Sequence, residues 1–339
     1  MKKSIRQIVY HSGLLHQHHK LRNRNALTVV LFHRVLPPNS PEWLGADPEW
    51  TVSTDFFKDC LRFFQKHYTV VSFSQVWENY QHHNPLPDHP LLITFDDGWK
   101  CNLQHAAPLL QQFHFPAMLF VTTGAIGKSI LSWQEALYAL WKTNSLDRKK
   151  IYEMSNALEI ELPYTITRED NYEKLLVKLR SLSPSHRSNI DNLLFKWSND
   201  LPGLPYMLTK EELLELQEKN FYFGTHGINH ESLVHLNNSH TELHISRKML
   251  MEIIGNQNPI VCFSPPQGQY NQQTLKSAEK AGYSIACTSR KGLNAIKNRK
   301  GFIDLGRINI NQLALENKDG RLDWSKLASL LFRQPILQN

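Results

Sequence analysis

Four side chains in two short stretches could carry the chemistry of this sequence. The first stretch, Thr94-Phe95-Asp96-Asp97-Gly98, sets two carboxylates side by side at the end of an apolar run. Neighbouring side chains on an extended chain point different ways, so Asp96 and Asp97 are expected to have separate tasks. Gly98 permits a sharp turn or the close approach of a ligand. Taken alone, the triplet has an ordinary reading in which one Asp caps the next helix. The second stretch, His226-Gly227-Ile228-Asn229-His230, spaces two imidazoles so that both fall on one helical face and reach a single metal ion. Position 227 is Gly, so this is not the HExxH pattern, which carries its own Glu base. Two surface histidines in a chain with 17 of them would be the ordinary alternative. Taken together, one of these carboxylates with His226 and His230 makes an open three-ligand site for a catalytic divalent ion. The remaining carboxylate is then free to act as a base toward a water.

The elements that must position these residues are legible as short, nearly continuous apolar runs. Leu27–His33, Tyr68–Phe73, Leu91–Phe95 and Pro116–Thr122 come first; Phe221–Thr225, Pro259–Phe263, Tyr283–Thr288 and Phe302–Ile310 follow. Such runs suit strands of a parallel sheet buried on both faces. Helical patterns alternate with them. Ser53 or Thr54 caps a helix carrying Phe57, Cys60, Leu61 and Phe64, and Thr209 with Glu212 forms a capping box. Asn271 caps a helix that ends near Gly282. The fold class is therefore α/β, with a closed or open parallel sheet. Residues 131–208 break the rhythm with helical patterns alone and are expected to form an insertion. The chain divides into a basic segment, 1–26, a first part of the main domain, 27–130, the insertion, 131–208, and a second part, 209–339.

Composition excludes several classes. With 41% hydrophobic and 20% charged residues the chain reads as globular, not disordered, collagenous or coiled-coil. The net charge of +7 is concentrated at the start, in Lys2, Lys3, Arg6, Lys20, Arg22 and Arg24. That basic head either touches anionic lipid or acidic glycan or is simply solvated. No zinc-finger spacing or ribonucleoprotein motif is present, so no nucleic-acid partner is expected. Cys60, Cys101, Cys262 and Cys287 form no CxxC pair and are expected as buried free thiols. No apolar stretch of signal-peptide or membrane-spanning length occurs. The expectation is a cytoplasmic protein, with at most peripheral contact at the inner membrane face.

In order and content, TFDDG, then HxxxH, then Phe263-Ser264-Pro265-Pro266-Gln267-Gly268 resembles the polysaccharide deacetylases of carbohydrate esterase family 4, the NodB-homology proteins. The resemblance covers about 91–123 and 209–310. Leu31-Phe32-His33-Arg34-Val35 and the stretch from Phe56 to Val71 are similar to the extended members, which carry an early YH-type motif. The resemblance implies an irregular (β/α) barrel and hydrolysis of acetyl groups, N-acetyl above all, from a polysaccharide or glycan. It further implies a divalent metal, usually Zn2+, on Asp97, His226 and His230, with Asp96 as general base. The loop Pro265, Pro266, Gln267 and Gly268 would line the substrate groove, with a backbone N–H near Gln267 helping to hold the oxyanion.

Two departures stand out. Ser264 occupies the place of the Arg that orients the base in this family, and Arg307 is the candidate replacement, against a plain rim salt bridge. No histidine follows His244, so the family's late catalytic His is missing. His33, at the end of the first strand, is the candidate acid, because poly-N-acetylglucosamine deacetylases place theirs in a similar early motif. Asp323-Trp324 is similar to another family motif but is expected to serve packing. Two rival readings remain: a catalytically degenerate glycan-binding barrel, and a glycosidase. A glycosidase needs carboxylates ~5–9.5 Å apart across the scissile bond, which adjacent Asp residues serve poorly.

Overall fold

The computed structural model describes residues 3–162, 169–180, 184–204, 206–255, 259–296 and 301–338. Its main sheet has 11 strands. They are β1 (Ala26–Phe32), β2 (Thr69–Val70), β3 (Pro90–Phe95), β4 (Ala117–Val121), β5 (Phe221–Thr225), β6 (Cys262–Phe263), β7 (Ile285–Thr288), β8 (Leu293–Ala295), β9 (Ile303–Gly306), β10 (Ile308–Asn309) and β11 (Ile336–Leu337). The order is β9-β7-β6-β5-β4-β3-β1-β8-β11, with β2 added beside β3 and β10 beside β1. All pairs are parallel except β1 with β8.

Only Arg307 separates β9, which pairs with β7, from β10, which pairs with β1. This run of chain leaves one margin of the sheet and joins the other, closing a barrel. The single strand expected over 302–310 is therefore two, broken where the chain changes partner. Buried Asn294 stitches the seam: its amide donates to the carbonyls of Leu27 and Gly306 and accepts from the Gly306 N–H. Alternate residues such as Val29, Leu92, Phe120, Cys287 and Leu305 share one core cluster, and Val30, Ile93, Leu119 and Phe223 belong to another with the surrounding helices. Both parities are buried, which is why the strands read as unbroken apolar runs.

Local signals start the helices. Ser53 Oγ accepts from Phe56 N–H to open Thr54–His67, which buries Phe56, Phe57, Cys60, Leu61 and Phe64 against the barrel. The Thr209–Glu212 and Asn271 caps form as expected. The strand expected over Tyr68–Phe73 shrinks to Thr69–Val70, because Ser72 and Gln75 make a capping box that begins a helix at Phe73. Between barrel strands β4 and β5, Trp133–Lys142, Arg148–Leu158, Glu169–Arg180 and Pro184–Ser198 are helical. They enclose a core of their own, with Leu137, Met154, Leu175 and Leu194 at its centre and Trp99 and Met207 joining it from the barrel side. All four cysteines are buried and free.

The basic start is not a loose tail among the described residues. Lys3–His11 and Leu14–Arg22 form a helical hairpin packed on the helix Trp324–Phe332. Asp323 caps that last helix and pairs with Arg6 at 3.1 Å, while Trp324 packs edge-on to Phe63, so the Asp323-Trp324 pair serves packing. Buried His19 stacks on Phe332 at 4.0 Å, donates from Nε2 to the His67 carbonyl and accepts from Asn23 at Nδ1. His67 is also buried, against Phe63 and Trp324, yet neither of its ring nitrogens has a partner.

Burial draws His19 down to about 3 and His67 down to about 4. Both are thus neutral when folded, whereas in the unfolded chain they titrate near 6.5. Above that pH they contribute no pH dependence. As pH falls from 6.5 toward 4 the unfolded chain takes up the protons first, so stability falls, by up to ~1.4 kcal/mol per pH unit for each imidazole. Replacing His67 by Phe removes two orphaned polar atoms and one of these protons. The variant is expected to be more stable by ~1 kcal/mol at pH 7. The gain should widen at pH 5, read from urea melts at the two pH values.

Candidate active site

Six side chains gather at one rim because each follows a barrel strand: His33 after β1, Asp96 and Asp97 after β3, His226 after β5, Ser264 after β6 and Arg307 after β9. The C-terminal rim is where parallel barrels carry their chemistry. Asp96 continues the parity of Leu92, and Arg307 that of Leu305, so both point into the top of the barrel, with the Arg307 guanidinium 5.3 Å above the Phe120 ring.

Asp97 leaves that pattern. Its φ of 80° is an uncommon conformation for a residue other than glycine, and Gly98 follows at 93°. The twist turns its carboxylate away from Asp96's partners and toward the histidines. Oδ1 lies 3.4 Å from His226 Nε2 and 3.4 Å from His230 Nε2, and it has no hydrogen-bond partner. Oδ2 accepts from the Trp99 indole N–H at 2.8 Å. The ligand atoms of Asp97, His226 and His230 lie within 4.8 Å of one another, the only such group of three among the described residues.

The histidines do not share a helix, contrary to their spacing. His226 to His230 is a bend in which Gly227 and His230 take φ of 74° and 57°. The bend is clamped from below. Gly124 N–H donates to the Ile228 carbonyl, Thr123 N–H to the Gly227 carbonyl, and Glu242 accepts from Ile228 N–H at 2.8 Å. A side chain at position 124 would lie 2.5 Å from the Ile228 carbonyl, so the close approach requires glycine. His226 Nδ1 donates to the Ser264 carbonyl at 2.9 Å, which leaves the Nε2 lone pair facing Asp97.

These donors fit a divalent cation. Burial, and then the charge of Asp96, push the Asp97 carboxyl well above its usual range. Burial lowers His226, and burial with the neighbouring imidazoles takes His230 to about 3. A carboxylate that burial disfavours and two imidazoles kept neutral by burial are each in the state that a cation rewards. One oxygen and two nitrogens form a donor set of open catalytic zinc sites. Trp99 holds the far oxygen of Asp97 in place, so Trp99→Phe is expected to weaken Zn2+ binding about tenfold. A competition titration with a chromophoric chelator checks this.

Asp96 has a different environment. Arg307 donates to both of its oxygens, at 2.6 and 2.8 Å, and also to Ser264 Oγ at 2.6 Å, which in turn donates to Asp96 Oδ2. Burial opposes ionisation of Asp96, but Arg307, then His226 and His33, outweigh it and hold the carboxyl far below its usual range. Ser264, at the place of the motif Arg, thus joins the network built by Arg307.

His33 is half-buried beside Trp50, ring centroids 4.7 Å apart. Burial lowers it to about 4, with Arg307 and His226 adding to the effect and Asp96 opposing it. In the loop after β6, Pro265 and Pro266 are buried, and Pro266 lies against Gly227; Gln267 and Gly268 reach solvent. The Gln267 side chain donates to the His230 carbonyl.

Sequence reasoning missed Trp99, Glu242, Arg34 and Glu135. Arg34 stacks over Trp99 at 4.5 Å and faces Tyr206 at 5.2 Å, tying the rim to the insertion's core. Glu135, at the head of the insertion's first helix, is raised by burial to about 7. The Trp two residues after Asp97 was the one available signal; nothing in the spacing of the others marks them.

The model of the polysaccharide deacetylase family matches residues 83–286. YxkH of Bacillus subtilis (strain 168), whose name carries the same family description, is 30% identical over 223 residues. That stretch is 65% of this chain and 51% of the relative, so the chain spans about half of that protein's length. Among solved structures, the Streptococcus pyogenes deacetylase PplD in complex with acetate superposes with a TM-score of 0.58 at 17% identity, covering 91% of this chain and 99% of that one. IcaB from Ammonifex degensii gives 0.56 at 16% identity, covering 91% and 97%. At these identities the structural likeness establishes the fold, a NodB-type (β/α) barrel. With the family model matched over more than half its length, from before TFDDG to past the Ser264 loop, the chain belongs to the polysaccharide deacetylase family.

Proposed function

We propose that this protein hydrolyses acetyl groups, N-acetyl in particular, from a polysaccharide or glycan, using a divalent ion, zinc by its donor set, on Asp97, His226 and His230. The observation that carries the reading is the division of labour between adjacent carboxylates. Asp97 is turned onto two imidazoles, and Asp96 is gripped by Arg307 and Ser264. When bound, the ion polarises the acetyl carbonyl and makes a water acidic. Asp96 takes the proton from that water, and Arg307 keeps it ionised and aimed while doing so.

The acid has to protonate the departing amine. His33 is neutral at rest, so it supplies no stored proton; it relays the one that Asp96 removed, and the proton count closes at one water per acetate released. In this reading a backbone N–H near Gln267 shares the negative charge of the tetrahedral oxygen. A glycosidase is disfavoured, because Asp97 faces the two histidines and, among the described residues, no second free carboxylate is found beside Asp96.

Acetate release by the zinc-loaded protein over a panel of N-acetylated and O-acetylated oligosaccharides tests the reading. Release from an N-acetylated member supports it. A protein that holds the metal and binds these glycans, yet releases nothing, would be the degenerate glycan-binding barrel instead.

A further inference from the structure

The hairpin at the start of the chain carries a surface that the proposed chemistry does not use. Lys3–His11 and Leu14–Arg22 turn Tyr10, Leu15 and His19 toward the body of the protein. Their outward sides expose large apolar side chains: Ile5 at 50%, Ile8 at 67%, Leu14 at 63% and Leu21 at 79%, the last being the most exposed of its kind among the described residues. Ile5 and Ile8 are three apart and Leu14 and Leu21 seven apart, so each pair forms a stripe on its helix.

Charge adds a second, independent observation. The chain has seven more Lys and Arg than Asp and Glu. Its first 24 residues hold Lys2, Lys3, Arg6, Lys20, Arg22 and Arg24 and no acidic residue, so the rest of the chain is balanced to within one charge. Arg6 and Arg24 meet Asp323 and Asp88. Lys20 and Arg22 stand exposed beside Leu21; Arg22 donates to the Asn23 side chain and the Gln334 carbonyl, neither of which neutralises its charge.

We propose that this hairpin docks on the surface of a bilayer containing anionic lipid, with Ile5, Ile8, Leu14 and Leu21 entering the headgroup boundary and Lys20 and Arg22 among the lipid phosphates. A second copy of the chain fits less well, since pairing this face with itself would oppose two unneutralised basic patches. A nucleic acid would satisfy the charge and leave the four apolar side chains in water. The bilayer alone satisfies both halves of the surface.

The placement has a consequence for the rim. The hairpin leads into the start of β1, and His33 follows its end, seven residues on. The docked hairpin is therefore at the opposite end of the barrel from Asp96 and Asp97, roughly 23 Å away along the strand. The site faces away from the membrane, toward a polymer in solution.

Co-sedimentation of the full chain with vesicles of phosphatidylcholine alone, or of phosphatidylcholine with phosphatidylglycerol, tests the proposal. Binding should favour the anionic vesicles and weaken as salt rises. Lys20→Glu with Arg22→Glu should cut the partition coefficient by at least ~30-fold. Leu14→Ser with Leu21→Ser should lower it on the same vesicles without changing the melting temperature. Equal binding to both vesicle types, no binding to either, or binding unchanged in both variants would overturn the proposal. So would self-association of the wild-type chain that the Leu variant abolishes, since the occupant would then be a second copy. Tight binding to an oligonucleotide that the Leu variant leaves intact would also overturn it, in favour of nucleic acid. None of these outcomes depends on acetate release, so the fate of the catalytic reading does not affect the result.

Discussion

Arg307→Met is expected to lower kcat by about 10²–10³-fold while leaving Zn2+ binding intact. The guanidinium touches no metal ligand; it holds both oxygens of Asp96 and the hydroxyl of Ser264. Without it Asp96 keeps its burial and loses the largest influence favouring its charge, so its carboxyl rises above the usual range. The acid limb of the pH–rate profile should move upward with it. Stability should fall by ~3–5 kcal/mol at neutral pH, the cost of leaving one partner of a buried pair behind. The sign of the pH dependence follows from the shift. In the wild type the Asp96 carboxyl is depressed, so its contribution is fully present above the unfolded value near 4 and is lost only as pH falls through the folded value. From pH 7 to pH 4 the wild type is therefore flat in this respect. The variant, whose raised Asp96 carboxyl takes up its proton in the folded state first, regains stability as pH falls, so the gap should be widest at pH 7 and shrink toward pH 4. Urea melts at matched metal concentration give the stability arm, and initial rates give the other.

Asp97→Asn should have the larger effect on activity and the opposite effect on the metal-free fold. Asp97 is buried, raised by burial and by Asp96, and leaves one oxygen without a partner. A neutral amide in its place removes that charge. The metal-free variant is expected to be about 1–3 kcal/mol more stable than the metal-free wild type. Adding Zn2+ at 100 times its dissociation constant should stabilise the wild type by ~2.7 kcal/mol and the variant by nothing. Acetate release by the variant should be at background. Thermal melts with and without Zn2+ show the crossover; a variant stabilised by Zn2+ like the wild type would remove Asp97 from the ligand set. On the proposed reading, a bound cation would be the partner that this costly buried carboxylate otherwise lacks.

The rim was legible where short motifs directly follow apolar strands. TFDDG and HxxxH named Asp96, Asp97, His226 and His230, and the geometry brings Asp97, His226 and His230 to one point. The route there was less legible. Residue spacing suggests a helix for the histidines, yet tertiary contacts from Thr123, Gly124 and Glu242 fold them into a bend. Arg307 was found by its place after a late strand, but its pairing with Asp96 depends on barrel closure, which only the register of β9 and β10 reveals. An apolar run the length of Tyr68–Phe73 does not distinguish a strand from a helix start, and the Ser72–Gln75 box decides it. The helical hairpin at the start went unread for a similar reason. Its apolar residues are few and half of them face outward, so the basic charge dominated the pattern.

The most direct test of the account is metal content measured together with turnover. Purified wild-type protein, stripped with a chelator and then titrated with Zn2+, should take up one equivalent per chain. Acetate release from an N-acetylated oligosaccharide should return in proportion to that uptake, and His226→Ala should neither take up the ion nor recover. Full acetate release from the stripped wild type, or a His226→Ala protein that still binds one equivalent and turns over normally, would contradict it.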